Sequence, residues 1–342
     1  MGPRMRAVGY QKSLPIEDDG SLIDIDLPKP EPRRRDLLVQ VQAVSVNPVD
    51  TKVRRRAGAE AEPWKVLGWD AAGVVSATGP EATLFKVGDA VFYAGAIGRP
   101  GTNSEFHLVD ERIVGRKPDS LDWAASAALP LTAITAWEIL FDRLDINKPV
   151  PGAASAIVIV GGAGGVGSIA IQLVRKLTPL TVIATASRDE TKDWVRRLGA
   201  HHVIDHGRPL AVQVKGLGLG PPGVVFSTTN TDLHFTEIAE LIAPQGRFGL
   251  IDDPPKFDIG VFKRKSVSMH WEFMFTRSAF ETPDMTEQGA LLNQISKLVD
   301  SGVLQSTLAE RFGTINAKNL RRAHAFVESG RAKGKIVLQG FD

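Results

Sequence analysis

Apolar positions along the chain repeat with two different periods, and the period changes near Pro118. Before that point they alternate with polar positions, most clearly in Leu37–Val46, as half-buried strands do. Asp50–Arg56 predicts a short helix. Further runs bounded by Gly, Pro or Asp predict short strands at 6–10, 68–77, 89–93, 105–109 and 113–117. The first part of the chain is therefore predicted to be an all-β unit.

After Pro118, strand and helix patterns alternate, which predicts a parallel, doubly wound sheet of the α/β class. Helices are predicted at 123–129, 131–140, 166–177, 188–198, 232–242, 285–301 and 316–329, and strands at 156–160, 181–186, 202–204, 223–227, 246–251 and 334–338. Lys265–Phe275 predicts a long apolar strand at a sheet edge. An exposed apolar edge invites pairing with a second copy, so we expect a homodimer.

A glycine-rich turn joins the first strand of this α/β region to its helix. The spacing G-x-G-x-x-G is given by Gly162, Gly164 and Gly167, Gly165 makes the loop richer in glycine, and Val166 begins the predicted helix. In dinucleotide-binding proteins the first glycine allows a tight turn, the second admits the pyrophosphate, and the third lets helix and strand pack closely. The motif predicts that phosphates bind at this helix N-terminus. The alternative is a glycine turn between an ordinary strand and helix.

The second strand of the α/β region ends without a carboxylate. NAD-selective sites use an acid there to accept the ribose 2′-OH, but this strand is followed by Ser187 and Arg188, and Lys192 lies one helical turn further on. A hydroxyl and a guanidinium suit a 2′-phosphate, so the predicted cofactor is NADP(H). Ser187 also begins the sequence Ser-x-x-Glu, so it has a second interpretation as a helix cap.

Composition removes several classes of function. The 342 residues are 43% hydrophobic and 23% charged, with a net charge of +2, so we expect no nucleic-acid partner and a small-molecule substrate. The absence of cysteine excludes disulfides and thiolate metal sites. No uninterrupted run of 18 apolar residues and no signal peptide is evident, which predicts a cytoplasmic protein without a membrane partner.

Six segments together resemble the medium-chain dehydrogenase/reductase superfamily, and within it the zinc-free quinone oxidoreductase branch often labelled zinc-type alcohol dehydrogenase-like. They are VSVNPVDTK (44–52), LGWDAAGVV (67–75), VGDAVF (87–92), LPLTAITAWE (129–138), GGAGGVGSIAIQL (161–173) and GKIVL (334–338). The resemblance implies a GroES-like β-barrel domain (1–125), a Rossmann NADP-binding domain (126–275) and a C-terminal return to the first domain (276–342).

The resemblance also bears on metal binding. In the zinc enzymes of this superfamily a Cys stands at the position of Asn47 and a His at that of Trp69, and neither residue present here can replace those ligands. His201 and His202 are adjacent on a predicted strand and point to opposite faces. We therefore predict no metal.

The same comparison implies site residues. His206 matches a phosphate-contacting Tyr, Thr132 a residue near the nicotinamide, and Lys52 a position that is often Tyr in this branch. Asn47 is a candidate donor to the acceptor oxygen, or simply forms the turn before Pro48, and Lys52 is alternatively a surface residue. The further predicted nucleotide contacts are Ser227, Thr228, Leu250, Ile251 and Lys335, the last otherwise an exposed lysine. The predicted acceptor pocket is Trp69, Tyr93, Trp271 and Phe275, each of which could equally be core.

These features predict an NADPH-dependent reductase of quinones or α,β-unsaturated carbonyls. Such acceptors are already electrophilic, so they need hydrogen-bond donors at oxygen rather than a metal, and the proton comes from solvent or a weak donor. The alternative is a non-catalytic NADPH-binding protein with a structural or RNA-binding role, for which Arg33–Arg35 and Arg54–Arg56 would be the basic surface.

Overall fold

The computed structural model describes residues 2–59 and 63–341. The strands are β1 (Arg4–Tyr10), β2 (Ile23–Pro28), β3 (Asp36–Val46), β4 (Lys65–Val66), β5 (Ala71–Thr78), β6 (Ala90–Tyr93), β7 (Phe106–Asp110), β8 (Gly115–Arg116), β9 (Ala154–Val160), β10 (Thr181–Thr185), β11 (His202–Ile204), β12 (Pro222–Ser227), β13 (Arg247–Leu250), β14 (Ser268–Trp271), β15 (Leu308–Arg311) and β16 (Lys335–Gln339). The α-helices are α1 (Pro48–Arg56), α2 (Trp123–Ala127), α3 (Pro130–Trp137), α4 (Gly165–Leu177), α5 (Asp189–Leu198), α6 (Leu210–Gly216), α7 (Thr231–Leu241), α8 (Thr276–Ala279), α9 (Thr286–Asp300) and α10 (Ala317–Glu328).

The chain divides into two compact units. Unit 1 comprises Met1–Ile134 with Phe275–Asp342, and unit 2 comprises Thr135–Met274. The first division lies nine residues after the predicted 125/126 boundary, because α2 packs on β3 and β5 and the N–H of Leu131 donates to the Asp70 carboxylate. The second lies one residue before the predicted 275/276 boundary.

Unit 2 contains a six-stranded sheet in the order β11-β10-β9-β12-β13-β14, in which every neighbouring pair is parallel. Numbered within the unit this is the order 3-2-1-4-5-6 of the Rossmann fold. Val158, Ile183, Val225 and Phe248 are fully buried at the centre of its core. The strand order reverses between β9 and β12, so the carboxyl ends of these strands and of β10 form the edge at which open α/β sheets bind ligands.

Unit 1 is the β-rich, GroES-like unit. A mixed seven-stranded sheet runs β15-β16-β3-β5-β6-β8, with β7 also paired to β3, and a separate sheet runs β2-β1-β4. The central strand β3 pairs with β16, β5 and β7, which explains why most of its side chains are buried despite its alternating sequence. The C-terminal segment returns to this unit as predicted: β16 pairs antiparallel with the end of β3.

Two strand predictions need correction. The alternating Ile23–Pro28 segment forms β2 on β1, although no strand was predicted between β1 and β3. The long strand predicted at Lys265–Phe275 is reduced to β14, because Ile259–Lys265 is a 3₁₀ helix and Ser266 has a φ of 50°. A left-handed residue at this point interrupts the extended backbone that a strand requires.

The helical run Trp123–Arg143 includes α2, α3 and a π-helix at Glu138–Arg143. By length and composition it could cross a membrane, with a mean hydropathy of 1.4 in its most apolar window. In the fold 83% of that window is buried, and this is the pattern of a core helix. The sequence prediction overlooked the run because charged and polar residues interrupt it.

Candidate functional site

The glycine turn lies between β9 and α4, and each glycine has a separate reason to be there. Gly161 has a φ of 76°, so it makes the tight turn that the sequence analysis assigned to Gly162. A Cβ on Gly162 would lie 2.9 Å from the Cβ of Ala184, so this glycine lets the turn approach β10 instead. A Cβ on Gly167 would lie 2.4 Å from the carbonyl oxygen of Gly161, which accounts for the close helix–strand contact.

Gly164 differs from these glycines because space is open beside it. The nearest atom to an added Cβ is the Gly161 oxygen at 3.5 Å, an ordinary contact distance. Gly164, Gly165 and Val166 are half-buried, while Gly162 and Gly167 are buried. The accessible backbone of the turn is therefore the first turn of α4, where N–H groups have no intrahelical acceptor and suit a phosphate.

Two threonines hold the turn in place. The N–H of Gly161 donates to Oγ1 of the buried Thr185 at 3.0 Å, and Oγ1 of Thr228 donates to the carbonyl of Val160 at 2.9 Å. Thr228 was predicted as a nucleotide contact, and its hydroxyl proton is used within the turn. Thr185, the last residue of β10, was missed because a threonine in an apolar strand pattern gives no signal.

The loop after β10 carries the residues predicted to select the nucleotide. The N-cap of α5 is Arg188 rather than Ser187, so the interpretation of Ser187 as a helix cap is wrong by one residue. The side chains of Arg188 and Lys192 are 40% and 28% exposed. Each has an acidic neighbour on α5, with Arg188 3.8 Å from Glu190 and Lys192 3.5 Å from Asp189.

His206 follows β11 and reaches the same edge. Its Nδ1 lies 3.3 Å from Oγ1 of Thr185, which links it to the glycine turn. Burial lowers the pKa of His206, and the Arg188 guanidinium lowers it further, whereas Asp205 opposes both effects. The imidazole is therefore neutral at pH 7.

The predicted contacts beyond β12 and β13 are mostly internal. Ser227 and Leu250 are fully buried, whereas Ile251 is half-buried. The Ser227 hydroxyl lies 2.7 Å from that of Thr231, which in turn donates to the Asp252 carboxylate at 2.6 Å. The Ser227 and Leu250 side chains therefore stabilise the strand ends, and a nucleotide could meet only their backbone.

Unit 1 contains a buried polar cluster, which we define as Asn47, Asp50, Asp70 and Lys335. The Lys335 ammonium donates to the Asn47 side-chain oxygen, to the Val46 carbonyl at 3.1 Å and to Asp70 Oδ2 at 3.1 Å. Lys335 is only 3% exposed, so the exposed-lysine alternative is wrong, and its nucleotide contact stays a prediction. These three acceptors match the three donors of an ammonium.

Asn47 also makes its hydrogen bonds within this buried polar cluster. Its Nδ2 donates to Asp70 Oδ2 at 2.7 Å, its Oδ1 accepts from Lys335, and its backbone N–H donates to Asp50 at 2.6 Å. Asn47 is 1% exposed. Its amide is therefore not presented to a substrate. Asn47 is also the N-cap of α1, in agreement with the turn-forming alternative.

The two carboxyl groups of the cluster have perturbed pKa values. Burial raises the pKa of Asp50 to about 7, opposed by the Asn47 N–H and then by Lys335. Burial also raises the pKa of Asp70, while Lys335 and the Asn47 amide oppose the increase. Asp70 accepts hydrogen bonds from Asn47, Leu131 and Lys335 and forms the ion pair with the Lys335 ammonium. The net charge of the cluster is therefore close to zero when Asp50 holds a proton.

This arrangement predicts a pH-dependent stability. The folded state holds the Asp50 proton more tightly than the unfolded chain, whose carboxyl titrates near 3.8, so stability falls as pH rises from about 4 to about 7. We expect Asp50→Asn to have a higher urea midpoint than wild type at pH 8. Its urea midpoint should also decrease less than that of wild type between pH 5.5 and pH 8. The control Asp193→Asn, exposed on α5, should leave both unchanged. An unaltered pH dependence in Asp50→Asn would contradict the assignment.

The other predicted residues of unit 1 fall into two groups. Lys52 is half-buried on α1, whereas Thr132 is buried and its hydroxyl donates to the Leu129 carbonyl at 3.1 Å. Trp69 and Phe275 contact edge to face at 6.2 Å between ring centroids, and both are 2% exposed. They form part of the core of this unit rather than an open pocket.

The remaining aromatic predictions do not join that pair. Tyr93 is fully buried, stacks on His107 and lies 3.1 Å from its Nδ1 through the phenol oxygen. Trp271, in unit 2, is 54% exposed and stacks on Phe257. The core alternative therefore holds for Tyr93, and Trp271 lies at the exposed edge strand β14.

The positions that hold zinc ligands in the zinc enzymes do not fit a metal here. Asn47 is hydrogen-bonded to Asp70 and Lys335, and the Trp69 indole N–H donates to the Ala96 carbonyl at 3.3 Å. Within residues 2–59 and 63–341, no group of three or more His, Cys, Asp or Glu side chains could hold a metal ion. An ammonium against Asp70 already occupies the carboxylate with a positive charge.

The two units define the class of the protein. A parallel sheet in Rossmann order with a glycine turn, next in sequence to a GroES-like β unit, is the organisation of two-domain nucleotide-dependent dehydrogenases and reductases. Residues 33–119 match the family described as alcohol dehydrogenase GroES-like domain, and residues 198–338 match the family described as zinc-binding dehydrogenase.

Relatives and solved structures agree with this class. A zinc-type alcohol dehydrogenase-like protein of Staphylococcus aureus is 40% identical over 98% of this chain and 99% of its own length. A mitochondrial NAD(P)H oxidoreductase of Homo sapiens is 31% identical over 89% of this chain and 81% of its length. The chain belongs to the medium-chain dehydrogenase/reductase superfamily, in its quinone oxidoreductase-like branch, and is an NAD(P)-dependent oxidoreductase.

Two solved structures cover almost the whole chain. A Rhizobium etli protein, provisionally described as a zinc-dependent alcohol dehydrogenase, is 68% identical with a TM-score of 0.98, and the match covers all of both chains. A quinone oxidoreductase of Pseudomonas syringae is 25% identical with a TM-score of 0.83, covering 98% of this chain and 99% of its own. The names of these relatives include both a zinc-dependent and a quinone-reducing description.

Proposed function

We propose that this protein uses NADPH to reduce a quinone or an α,β-unsaturated carbonyl without a metal ion. The observation that carries the proposal is the state of Asn47 and Trp69, which stand where a zinc enzyme has ligands. The Asn47 amide is bonded to Asp70 and Lys335, and the Trp69 indole N–H is bonded to the Ala96 carbonyl. A carbonyl that is not already electrophilic would need a Lewis acid for polarisation. A conjugated acceptor does not, which favours quinones and enones as substrates.

The preference for NADPH rests on the loop after β10. Arg188, Lys192 and His206 supply cationic or hydrogen-bonding groups near the carboxyl end of this strand, and the residue after the strand is Ala186 rather than an acid. The accessible N–H groups of Gly165 and Val166 would bind the pyrophosphate. Asp189 points into solvent with a 99% exposed side chain, so it does not take the place of the ribose-binding acid.

The chemistry divides between the cofactor and the chain. When bound, the reduced nicotinamide supplies a hydride to the electrophilic carbon of the acceptor. The chain must stabilise the developing charge on the acceptor oxygen. We assign that role to the half-buried Lys52, because a cationic ammonium can donate to a developing oxyanion, with the final proton coming from solvent.

Turnover tests this assignment directly. NADPH oxidation should be measured with a panel of quinones and enals, and also with simple ketones and alcohols plus NADP⁺. We expect turnover with the conjugated acceptors only, no metal in the purified protein by elemental analysis, and no loss of activity with a chelator. Stoichiometric zinc with chelator-sensitive activity would overturn the metal-free mechanism.

The alternative is a non-catalytic NADPH-binding protein with a structural or RNA-binding role, and it predicts binding without turnover. The structure weakens its basic surface. Arg54 is 1% exposed and is bound to Glu328 and to the Leu14 carbonyl, so Arg54–Arg56 is not a continuous exposed run. Arg35 pairs with the buried Glu111 at 2.8 Å.

Replacing Arg188 tests the cofactor preference. We expect Arg188→Ala to weaken NADPH binding about 10- to 100-fold, because a hydrogen bond to a charged group is worth roughly 1.5–3 kcal/mol, and to change NADH binding little. Arg196→Ala, exposed on the same helix α5, is the matched control and should alter neither. Equal losses for both nucleotides would indicate that Arg188 does not contact the 2′-phosphate.

We also propose that the protein is a cytoplasmic homodimer assembled through β14. This strand is the edge of the sheet in unit 2, and Trp271 and Phe273 beside it are 54% and 48% exposed. Light scattering should give twice the chain mass of 36.9 kDa. We expect Trp271→Asp to give monomers, whereas Phe280→Asp, at a more exposed position in unit 1, should not. A monomeric wild type would contradict this assembly.

A further inference from the structure

A second histidine lies beside the predicted 2′-phosphate site. His234 is in the first turn of α7, and its ring centroid is 6.4 Å from that of His206, with 57° between the ring planes. The sequence gives no sign of this contact, because α7 follows β12 and the two histidines are 28 positions apart in the chain. We refer to His206 and His234 as the histidine pair.

The histidine pair is connected to the cofactor loop on one side. His206 contacts Oγ1 of Thr185, which accepts the N–H of Gly161 at the start of the glycine turn. Arg188, from the N-cap of α5, is close enough to affect the titration of His206. The pair therefore lies at the carboxyl ends of β10, β11 and β12, where the 2′-phosphate of NADPH is expected.

Burial is the main reason that both rings of the pair are neutral. His206 faces Arg188, Asp205 and His234; Arg188 lowers its pKa and Asp205 raises it. His234 faces His206, which lowers its pKa, and Asp232 and Glu237, which raise it. Burial lowers the pKa of both rings, and the positive end of the α7 helix dipole further disfavours a cation at His234. Each half-buried ring is thus an imidazole that a nearby dianion would convert to an imidazolium.

We propose that the histidine pair takes up a proton from solvent when the 2′-phosphate binds, so that NADPH affinity rises as pH falls while NADH affinity does not. The inference rests on the proposed preference for NADPH and adds His234 to the residues that determine it. A bound dianion stabilises the protonated ring, and by linkage protonation strengthens binding of the dianion by the same factor. Only NADPH carries this group, so the effect discriminates between the two nucleotides.

The range of pH in which the effect is visible has a lower limit. A phosphate monoester has a second pKa of about 6, so below that value the ligand loses charge and the trend reverses. Between about pH 8 and pH 6.5, uptake of a fraction of one proton corresponds to an affinity gain of about fivefold. NADH should change by less than about twofold over the same range.

The experiment is equilibrium binding of NADPH and of NADH to the full chain at pH 6.5, 7.25 and 8.0. Calorimetry in two non-phosphate buffers of different ionisation enthalpy counts the protons taken up. Wild type should take up protons with NADPH and not with NADH, and His234→Gln should reduce both the uptake and the pH dependence. His202→Gln, at the amino end of β11 and away from the predicted site, is the matched control.

A second, positively charged variant distinguishes the loss of the imidazole from unfolding of the protein. His234→Lys supplies a permanent cation, so it should bind NADPH at pH 8 at least as tightly as wild type and show little dependence on pH. Equal proton uptake with both nucleotides, or uptake unchanged in His234→Gln, would overturn the inference. If NADH binds more tightly at every pH, the proposed NADPH preference itself fails. If NADPH is preferred without proton uptake, only the histidine pair is excluded.

Discussion

Replacing Lys335 with methionine is expected to destabilise the protein by about 3–5 kcal/mol, the typical cost of removing one member of a buried ion pair. The Asp70 side chain is fully buried, and Lys335 is the cation that compensates it at 3.1 Å. Methionine fills a similar volume, so the loss should come from the uncompensated carboxylate and the unmatched Asn47 oxygen rather than from a cavity.

Urea unfolding followed by tryptophan fluorescence measures the effect, because Trp69 lies next to Asp70 in the chain and is itself buried. The double variant Lys335→Met with Asp70→Asn removes both charges and should recover much of the loss. Lys86→Met, at an exposed position, is the control and should stay within about 0.5 kcal/mol of wild type. If Lys335→Met unfolds at the wild-type midpoint, the ion pair does not hold this cluster together.

The second large effect is expected in the glycine turn, where two neighbouring glycines should respond differently. Gly167→Ala places a Cβ 2.4 Å from the Gly161 oxygen and 2.7 Å from the Gly162 Cα, both backbone atoms that cannot rotate away. We expect a loss of about 1–3 kcal/mol in stability together with a loss of NADPH affinity, because the turn and α4 must separate.

Gly164→Ala should leave stability near wild type, since its Cβ meets an atom only at 3.5 Å, but it should weaken NADPH binding at least tenfold by occupying the predicted phosphate space. Gly216→Ala is the matched control, because its Cβ meets nothing within 4 Å on α6. Thermal melts and NADPH titrations of the three variants separate folding from binding. Tight NADPH binding by Gly164→Ala would place the phosphates elsewhere.

The fold and the nucleotide loop were predicted well because their signals are local. A glycine turn between an apolar strand and an amphipathic helix is read from consecutive residues, and β9, α4 and β10 occur within one or two residues of their predicted positions. Helix and strand periodicity also located α9, α10 and β16. Such patterns depend on the local backbone and on which face is buried, and both are encoded in neighbouring residues.

The buried polar cluster was not predictable in this way. Asn47 and Lys335 are separated by 288 positions, and only the pairing of β16 with the end of β3 brings them together. The expectation of an exposed lysine followed from average behaviour, because lysine is rarely buried without a partner. Its partner, Asp70, comes from a third segment of the chain. The burial, charge and hydrogen bonds of Lys335 therefore become evident only when all three segments are placed together.

The sequence alone determined the family, the parallel sheet, the position of the glycine turn and the lack of an acid after β10, since each follows from the order of nearby residues. The tertiary structure decided which of the candidate side chains are available. In the folded chain, Asn47 and Lys335 donate hydrogen bonds to Asp70, and His234 lies beside His206. The side chains of Ser227, Tyr93 and Trp69 are buried. The physical reason is that availability depends on contacts between segments distant in the chain, and burial and unpaired charge have their free-energy cost only when those segments meet.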